Sequence, residues 1–327
     1  MTQLPIGIGL IGTGYAAKVR AEAINAEPRA TLVGVSGNTP TKAQAFAQTH
    51  QTRLFESWQA VVNHSDVQLV VISNNNSAHG EIARAALFAG KHVVVEYPIA
   101  LEVSTAESLL ALAQNKQRLL HVEHIELMGG VHQALLATLP KIGTPFYTRY
   151  ATITPQNPAP EKWTYNHDLF GFPLMGALSR LNRFTNAFGA VDQVSCQASY
   201  LDTPDRAPRY YAACMCTATL KFRSGLVADV IYGKGEALWQ PERKLEVQGD
   251  KGAIVFNGEK GTLINAQGEH PIETSGRRGL FARDTAAVID YLINGTPLYT
   301  NIIDSIYTMR VAEAARKAAE TGQLVNL

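Results

Sequence analysis

One hexapeptide constrains the fold of this chain more than any other stretch: Gly12-Thr13-Gly14-Tyr15-Ala16-Ala17. It follows an apolar run, Ile6–Ile11, that reads as a buried strand. It opens a segment, residues 14–25, in which Ala16, Val19, Ala23 and Ile24 mark a helical pattern. In a strand–turn–helix setting, G-x-G-x-x-G/A is the phosphate-binding turn of a dinucleotide fold. Gly12 permits the tight turn, Gly14 lets backbone approach a pyrophosphate, and Ala17 keeps helix and strand close. The helix start then offers N–H groups to phosphate oxygens.

The pattern repeats through the first third of the chain. Strands are expected over 31–35, Leu69–Ile72, 92–95 and 119–122, with helices over 41–49, 78–89 and 105–114. Uniformly apolar strands alternating with helices predict a parallel sheet covered on both faces. Beyond about 128–144 the strands alternate in polarity instead, over 146–153, 194–200, Ala213–Phe222, 226–232, 244–248 and 253–256. That predicts a large, mostly antiparallel sheet with one face covered, interrupted by one helix over 175–188. A final helix is expected over 304–320, capped by Asp304 or Ser305 and stopped by Gly322. The fold class is α/β: a Rossmann dinucleotide-binding domain over 1–125 and a C-terminal α+β substrate domain over 126–327. The last helix is allowed to pack back on the first domain. A length of 327 residues suits two domains.

Composition excludes several roles. Lys+Arg is 29 against 28 for Asp+Glu, a net charge of +1, which argues against a nucleic-acid partner. Three cysteines cannot build a disulfide framework, and Met1-Thr2-Gln3-Leu4-Pro5 has no basic leader character, so a cytoplasmic location is expected. No stretch of about 18 apolar residues exists to cross a membrane. A metal site is not expected. His121, Glu123 and His124 lack the helical H-E-x-x-H spacing, and strand geometry puts the two histidines on opposite faces. Cys214 and Cys216 read as small core residues.

Cofactor preference follows from an absence. No acidic residue occurs from Ala30 through Phe55, where an NAD site places a carboxylate on the ribose. The second strand ends instead in Ser36-Gly37-Asn38-Thr39, with Lys42 following. A neutral pocket with a nearby cation predicts NADPH, with NADH weaker.

Residues 69–101 then carry a resemblance. Ser73-Asn74-Asn75-Asn76, His79, Ala89-Gly90-Lys91-His92-Val93 and Glu96-Tyr97-Pro98 are similar to runs of the glucose–fructose oxidoreductase/inositol dehydrogenase family, as is the Val247–Gly252 turn. The family lysine between Glu and Pro is Tyr97 here, and a phenol of ordinary pKa about 10 is a poor replacement in hydroxyl oxidation. Glu96–Leu101, His121–Leu127, Phe170–Pro173, Ser179–Leu181, Tyr232–Glu236 and Arg277–Phe281 resemble the biliverdin reductase branch, cyanobacterial type.

That resemblance implies NADPH-dependent reduction of biliverdin IXα at the C10 methine to bilirubin. It implies a cofactor site of Gly12, Thr13, Gly14, Tyr15, Ala16, Ala17, Ser36, Gly37, Asn38, Thr39, Ser73, Asn74, Asn75, His79, Glu96 and Tyr97. Arg180, Tyr97, Glu123 and Glu126 are the catalytic candidates. Arg180 orients the bilin and stabilises developing negative charge; direct proton donation is the alternative. Arg180, Arg183, Lys234, Arg243, Arg277 and Arg278 are the cations available to two propionates. Arg180 and Arg183, three apart on one helix, can share a face. A bilin-sized ligand wants an open sheet face, so a monomer is expected. The competing readings are a sugar or dihydrodiol dehydrogenase of the same family, and a nucleotide-sensing regulatory protein without catalysis.

Overall fold

The computed structural model describes residues 4–327. Six strands, β1 (Ile6–Ile11), β2 (Ala30–Ser36), β3 (Arg53–Leu54), β4 (Leu69–Ile72), β5 (His92–Glu96) and β6 (Leu120–Glu123), form one sheet in the order β3-β2-β1-β4-β5-β6. Every pairing is parallel. Ile6, Ile8 and Leu10 are fully buried, which is why β1 carries no polar alternation. The helix Tyr15–Ala26 buries Ala17, Arg20, Ala21 and Ile24 on one stripe. Helices Pro40–Thr49, Trp58–Asn63, Asn76–Phe88 and Val103–Lys116 complete the alternation. Strand order reverses between β1 and β4, and the strand ends there open a crevice.

Nine further strands form the second sheet: β7 (Pro145–Pro155), β8 (Val191–Leu201), β9 (Ala213–Phe222), β10 (Val227–Gly235), β11 (Glu242–Gly249), β12 (Gly252–Asn257), β13 (Lys260–Asn265), β14 (Gly268–Ile272) and β15 (Val325–Asn326). Their order is β14-β13-β12-β11-β7-β10-β9-β8-β15. All pairs are antiparallel except β7 with β10, which run parallel from Tyr147↔Val227 to Pro155↔Gly235. Gly249 and Gly252 face each other across the expected Asp250-Lys251 turn. The β13–β14 hairpin, absent from the sequence reading, is short and half-exposed, so it carries little apolar signal.

The structure corrects two elements. The helix expected over 175–188 is broken into Pro173–Gly176 and Ser179–Phe188. The Phe170 ring occupies the space that a Gly176 side chain would need, and the backbone leaves helical geometry at Ala177. A new helix start at Ser179 places Arg180 in the first turn.

The second correction concerns the division of the chain. Two compact units emerge: one runs up to Ile125 and takes Gly279–Ile306, the other joins Glu126–Arg278 to Tyr307–Leu327. The sequence reading leaves residues 279–306 in the second domain. They return to the first because the helix Leu280–Asn294 buries Val288 and Ile289 among Ile6, Ile8 and Val94, and because Asp284 pairs with Arg20. Most of the final helix, Ile302–Thr321, stays with the second unit, where Tyr307 donates toward Val191 and Thr308 meets Thr185.

Candidate active site

In the first unit the glycine turn has the geometry its chemistry requires. Gly12 sits at φ +128°, and a side chain there would strike the Ser73 carbonyl and the Asn74 amide. Its N–H donates to Ser36 O at 2.9 Å, tying the turn to the end of β2. Gly14 faces open space and gives the helix Tyr15–Ala26 no side-chain cap. Thr13 packs its methyl against Gly37, Tyr15 is exposed, and Ala17 is buried. Three buried polar atoms around the crevice, Ser36 Oγ, Ser73 Oγ and Asn74 Oδ1, have no protein partner. Orphaned groups beside an uncapped helix start suit a polar, anionic ligand. Asn38, Thr39 and Lys42 are exposed at the end of β2. Asn75 caps the helix Asn76–Phe88 and accepts from the Ser77 hydroxyl at 3.1 Å.

His79 is expected at the cofactor, but its ring is fully buried. Nδ1 lies 2.7 Å from Pro98 O and Nε2 3.3 Å from Asn74 O. Burial lowers its pKa, and the ring lies between two backbone carbonyls inside the protein.

Glu96 ends β5 with Tyr97 just after it, and Glu123 ends β6 directly opposite Glu96. Glu123 is buried and hydrogen-bonded to Glu96; its Oε1 accepts from Ile125 N at 2.7 Å. Burial, then the neighbouring Glu96, raise the Glu123 pKa well above the usual carboxylate range, against the pull of Arg20. Arg20, from the helix Tyr15–Ala26, reaches Glu96 Oε1 at 3.2 Å and pairs with Asp284. His121 Nε2 lies 2.9 Å from Asp284 Oδ1. The Tyr97 ring stacks on His124, centroids 5.5 Å apart and 5° from coplanar.

In the second unit Arg180 is half-buried. Its Nε donates to Thr152 Oγ1 at 3.2 Å, its Nη1 to Ser179 Oγ at 3.0 Å, and its guanidinium lies 5.3 Å from the Tyr232 ring centroid. Thr152 is opposite Arg243 on one side and Tyr232 on the other, so these residues form one row across β11, β7 and β10. Arg183 is buried over Tyr150, with Nη2 3.5 Å from Glu126 and with Nε and Nη1 unpartnered. Glu126 also pairs with Arg277. Both its oxygens face guanidinium groups. Glu126, Tyr150, Arg183, Arg243 and Arg277 line a cavity of about 20 Å³, room for one water. Arg278 is exposed beside them in sequence.

Lys234 is the plainest departure from expectation. Read as a cation for a propionate, it is only 7% exposed. Its ammonium donates to Thr164 O and lies 3.7 Å from the Phe170 ring centroid, with Tyr165 and Tyr211 nearby. Among the described residues no cluster of three metal-ligating side chains occurs, and no helix is long and apolar enough to cross a membrane. Cys214 and Cys216 are buried in β9, and Cys216 Sγ lies 3.6 Å from Cys196 Sγ.

The sequence profile of an oxidoreductase family with an NAD-binding Rossmann fold (GFO/IDH/MocA) matches residues 6–124, and its C-terminal alpha/beta domain matches 139–327. The chain belongs to this oxidoreductase family. A member from Synechocystis sp. PCC 6803, biliverdin reductase solved with biliverdin and NADP+, is 50% identical, with 97% of this chain and 99% of that chain covered at a TM-score of 0.94. Human biliverdin reductase A is 28% identical over 190 residues, 58% of this chain and 60% of the human protein. The chain thus matches about three fifths of the length of that curated relative. GenD2 of gentamicin biosynthesis, solved with NAD, shares the family fold at 20% identity and a TM-score of 0.82, covering 98% of this chain and 96% of its own.

The family pattern does not disclose Arg20, Asp284, Tyr299 or Thr152, and the sequence reading missed them. For Arg20 a signal existed: it is the one charged residue on the Ala17, Ala21, Ile24 stripe. Asp284 and Tyr299 had none, since their partners lie far away in sequence.

Proposed function

We propose that this chain reduces biliverdin IXα to bilirubin, with hydride added at C10 and a proton at a pyrrole nitrogen, at the expense of NADPH. The observation that carries this reading is the 50% identity, over nearly the whole of both chains, with a biliverdin reductase that binds biliverdin and NADP+. Tyr97 in place of the family lysine supports it, because a hydroxyl-oxidising site would lose its base.

The residues present fit a dinucleotide. The Gly12–Ala17 turn and the uncapped helix would hold the pyrophosphate, and the orphaned Ser36, Ser73 and Asn74 oxygens would meet polar groups of the same molecule. Ser36, Asn38, Thr39 and Lys42 offer a 2′-phosphate hydrogen bonds and a cation without a carboxylate. When bound, the nicotinamide supplies the hydride.

The protein's own residues do the rest. Arg180 is held by Thr152, Ser179 and the Tyr232 face, which leaves a pre-oriented cation to position the bilin and stabilise negative charge on it. Its guanidinium holds its proton, so transfer through a water or propionate is favoured over direct donation. Arg243 and Arg277 extend the same basic face. Glu126 keeps Arg183 and Arg277 at fixed positions. The same reading makes the chain a cytoplasmic monomer with no nucleic-acid partner.

The test is a single assay of protein, NADPH and biliverdin, following loss of the bilin's red absorption band and appearance of bilirubin. NADPH should outperform NADH in kcat/KM. Arg180→Ala should lower kcat by about 100-fold and leave NADPH affinity unchanged. No bilirubin from the wild type, or sugar-dependent NADP+ reduction in its place, overturns the reading.

A further inference from the structure

We propose that Arg20, Asp284 and Tyr299 are positioning residues that fix the Tyr97 ring, so that a segment from the far end of the chain, Gly279–Ile306, sets the geometry of the site at the end of β5. All the groups involved lie in the first unit.

Two arms start from the Asp284 carboxylate, which is fully buried. Its Oδ2 pairs with Arg20, and Arg20 Nε reaches Glu96 Oε1 at 3.2 Å. Glu96 is the residue before Tyr97, so this arm holds the backbone that carries the ring. The second arm runs from Oδ1, which accepts from the Tyr299 hydroxyl at 2.8 Å. The same Tyr299 oxygen accepts from His124 N at 3.1 Å. His124 in turn stacks on Tyr97, and its Nε2 lies 2.9 Å from Ser305 Oγ. Tyr97 is thus braced through its main chain by one arm and through its ring face by the other.

The electrostatics keep this frame in one state. Burial would raise Asp284, yet Arg20 and His121 hold it far below the usual carboxylate range. Burial pushes His124 down to about 3, so the ring under Tyr97 is uncharged at neutral pH. A ring held in one place by neutral stacking and buried hydrogen bonds is pre-organised. A phenol of ordinary pKa about 10 is a poor replacement for the lysine in proton transfer, so its position is what this residue offers.

The consequence for turnover rests on the proposed reduction; the brace itself does not. The first measurement is therefore structural. In protein carrying ring-13C tyrosine, the Tyr97 resonance is assigned by its disappearance in Tyr97→Phe. Tyr299→Phe, which keeps the ring but removes the hydroxyl that joins Asp284 to His124, should shift and broaden it. The second measurement is kinetic. Tyr299→Phe should lower kcat about 10-fold with both KM values within about 2-fold of wild type, the signature of misplacement and not of lost binding. In a Tyr97→Ala background the same substitution should cost nothing further. Asp284→Asn should act in the same direction more strongly, and Tyr299→Phe carries the test if that variant does not fold. An unchanged Tyr97 resonance, or full additivity with Tyr97→Ala, overturns the brace. Absence of biliverdin reduction by the wild type overturns the proposed function alone, and the resonance still decides the brace.

Discussion

Arg20 in the first unit and Lys234 in the second are both buried cations, and the two are held by opposite means. In the first, Arg20 is 1% exposed and lies between Asp284 and Glu96, with the Phe281 ring centroid 4.9 Å away. In the second, Lys234 is met by the Thr164 carbonyl and the faces of Phe170, Tyr165 and Tyr211. Burial lowers the pKa of both. For Arg20 the carboxylates reverse the effect, and its pKa ends above the ordinary value. For Lys234 nothing comparable intervenes. Burial, opposed by Cys214 and reinforced by the neighbouring Arg180, brings it to about 8. A full opposite charge fixes a buried cation in one protonation state; dipoles and ring quadrupoles leave it close to titration.

The largest effect should come from breaking the charged pair. Arg20→Met leaves the Asp284 carboxylate buried without its cation and should cost ~3–5 kcal/mol in urea unfolding. The double variant Arg20→Met/Asp284→Leu should recover much of that loss, since both charges leave together. A loss below ~1 kcal/mol for Arg20→Met would place Arg20 in the same class as Lys234 and erase the contrast.

The next effect is a pH dependence. Between the folded value of about 8 and the ordinary 10.5 for Lys234, the unfolded chain binds more protons than the folded one. This group's contribution to stability therefore rises with pH across that window and is lowest below about 8. Wild type should gain up to ~3 kcal/mol relative to Lys234→Met over it. Near pH 7 the two should differ by only ~1 kcal/mol, because relief of a buried charge offsets the lost carbonyl bond. Parallel pH–stability curves for the two proteins would show that the lysine does not titrate there.

The smallest effect separates ring face from burial. A double-mutant cycle between Phe170→Leu and Lys234→Met should give a coupling of ~0.5–1 kcal/mol, the worth of a cation over an aromatic face. Zero coupling would leave the Thr164 carbonyl as the only partner that matters.

These two sites also mark how far the sequence could be read. The Gly12–Ala17 turn was legible because its requirements are local: a tight turn, a close backbone approach, and a helix start. The apolar runs of β1, β4 and β5 announced a doubly covered sheet, and the alternation in β9 and β10 a singly covered one. Arg20 left a trace as a charge on a buried stripe. Lys234 left none, since the residues that enclose it come from around 164–170 and from Tyr211, distant in sequence. Reading it as a surface cation followed the ordinary behaviour of lysine. The helix over 175–188 was legible as helical periodicity, but its break at Ala177 depended on where the Phe170 ring packs.

The sequence by itself determined the family, the two sheet types and the dinucleotide turn, because each is written in neighbouring residues or in a fixed spacing. Only the tertiary structure decided that Gly279–Ile306 returns to the first unit, that Asp284 and Tyr299 stand behind Tyr97, and that Lys234 faces inward. Those outcomes depend on which buried charge finds which partner across long stretches of chain. The free energy that selects the partner is the cost of leaving a charge or a hydrogen-bonding group alone inside the protein.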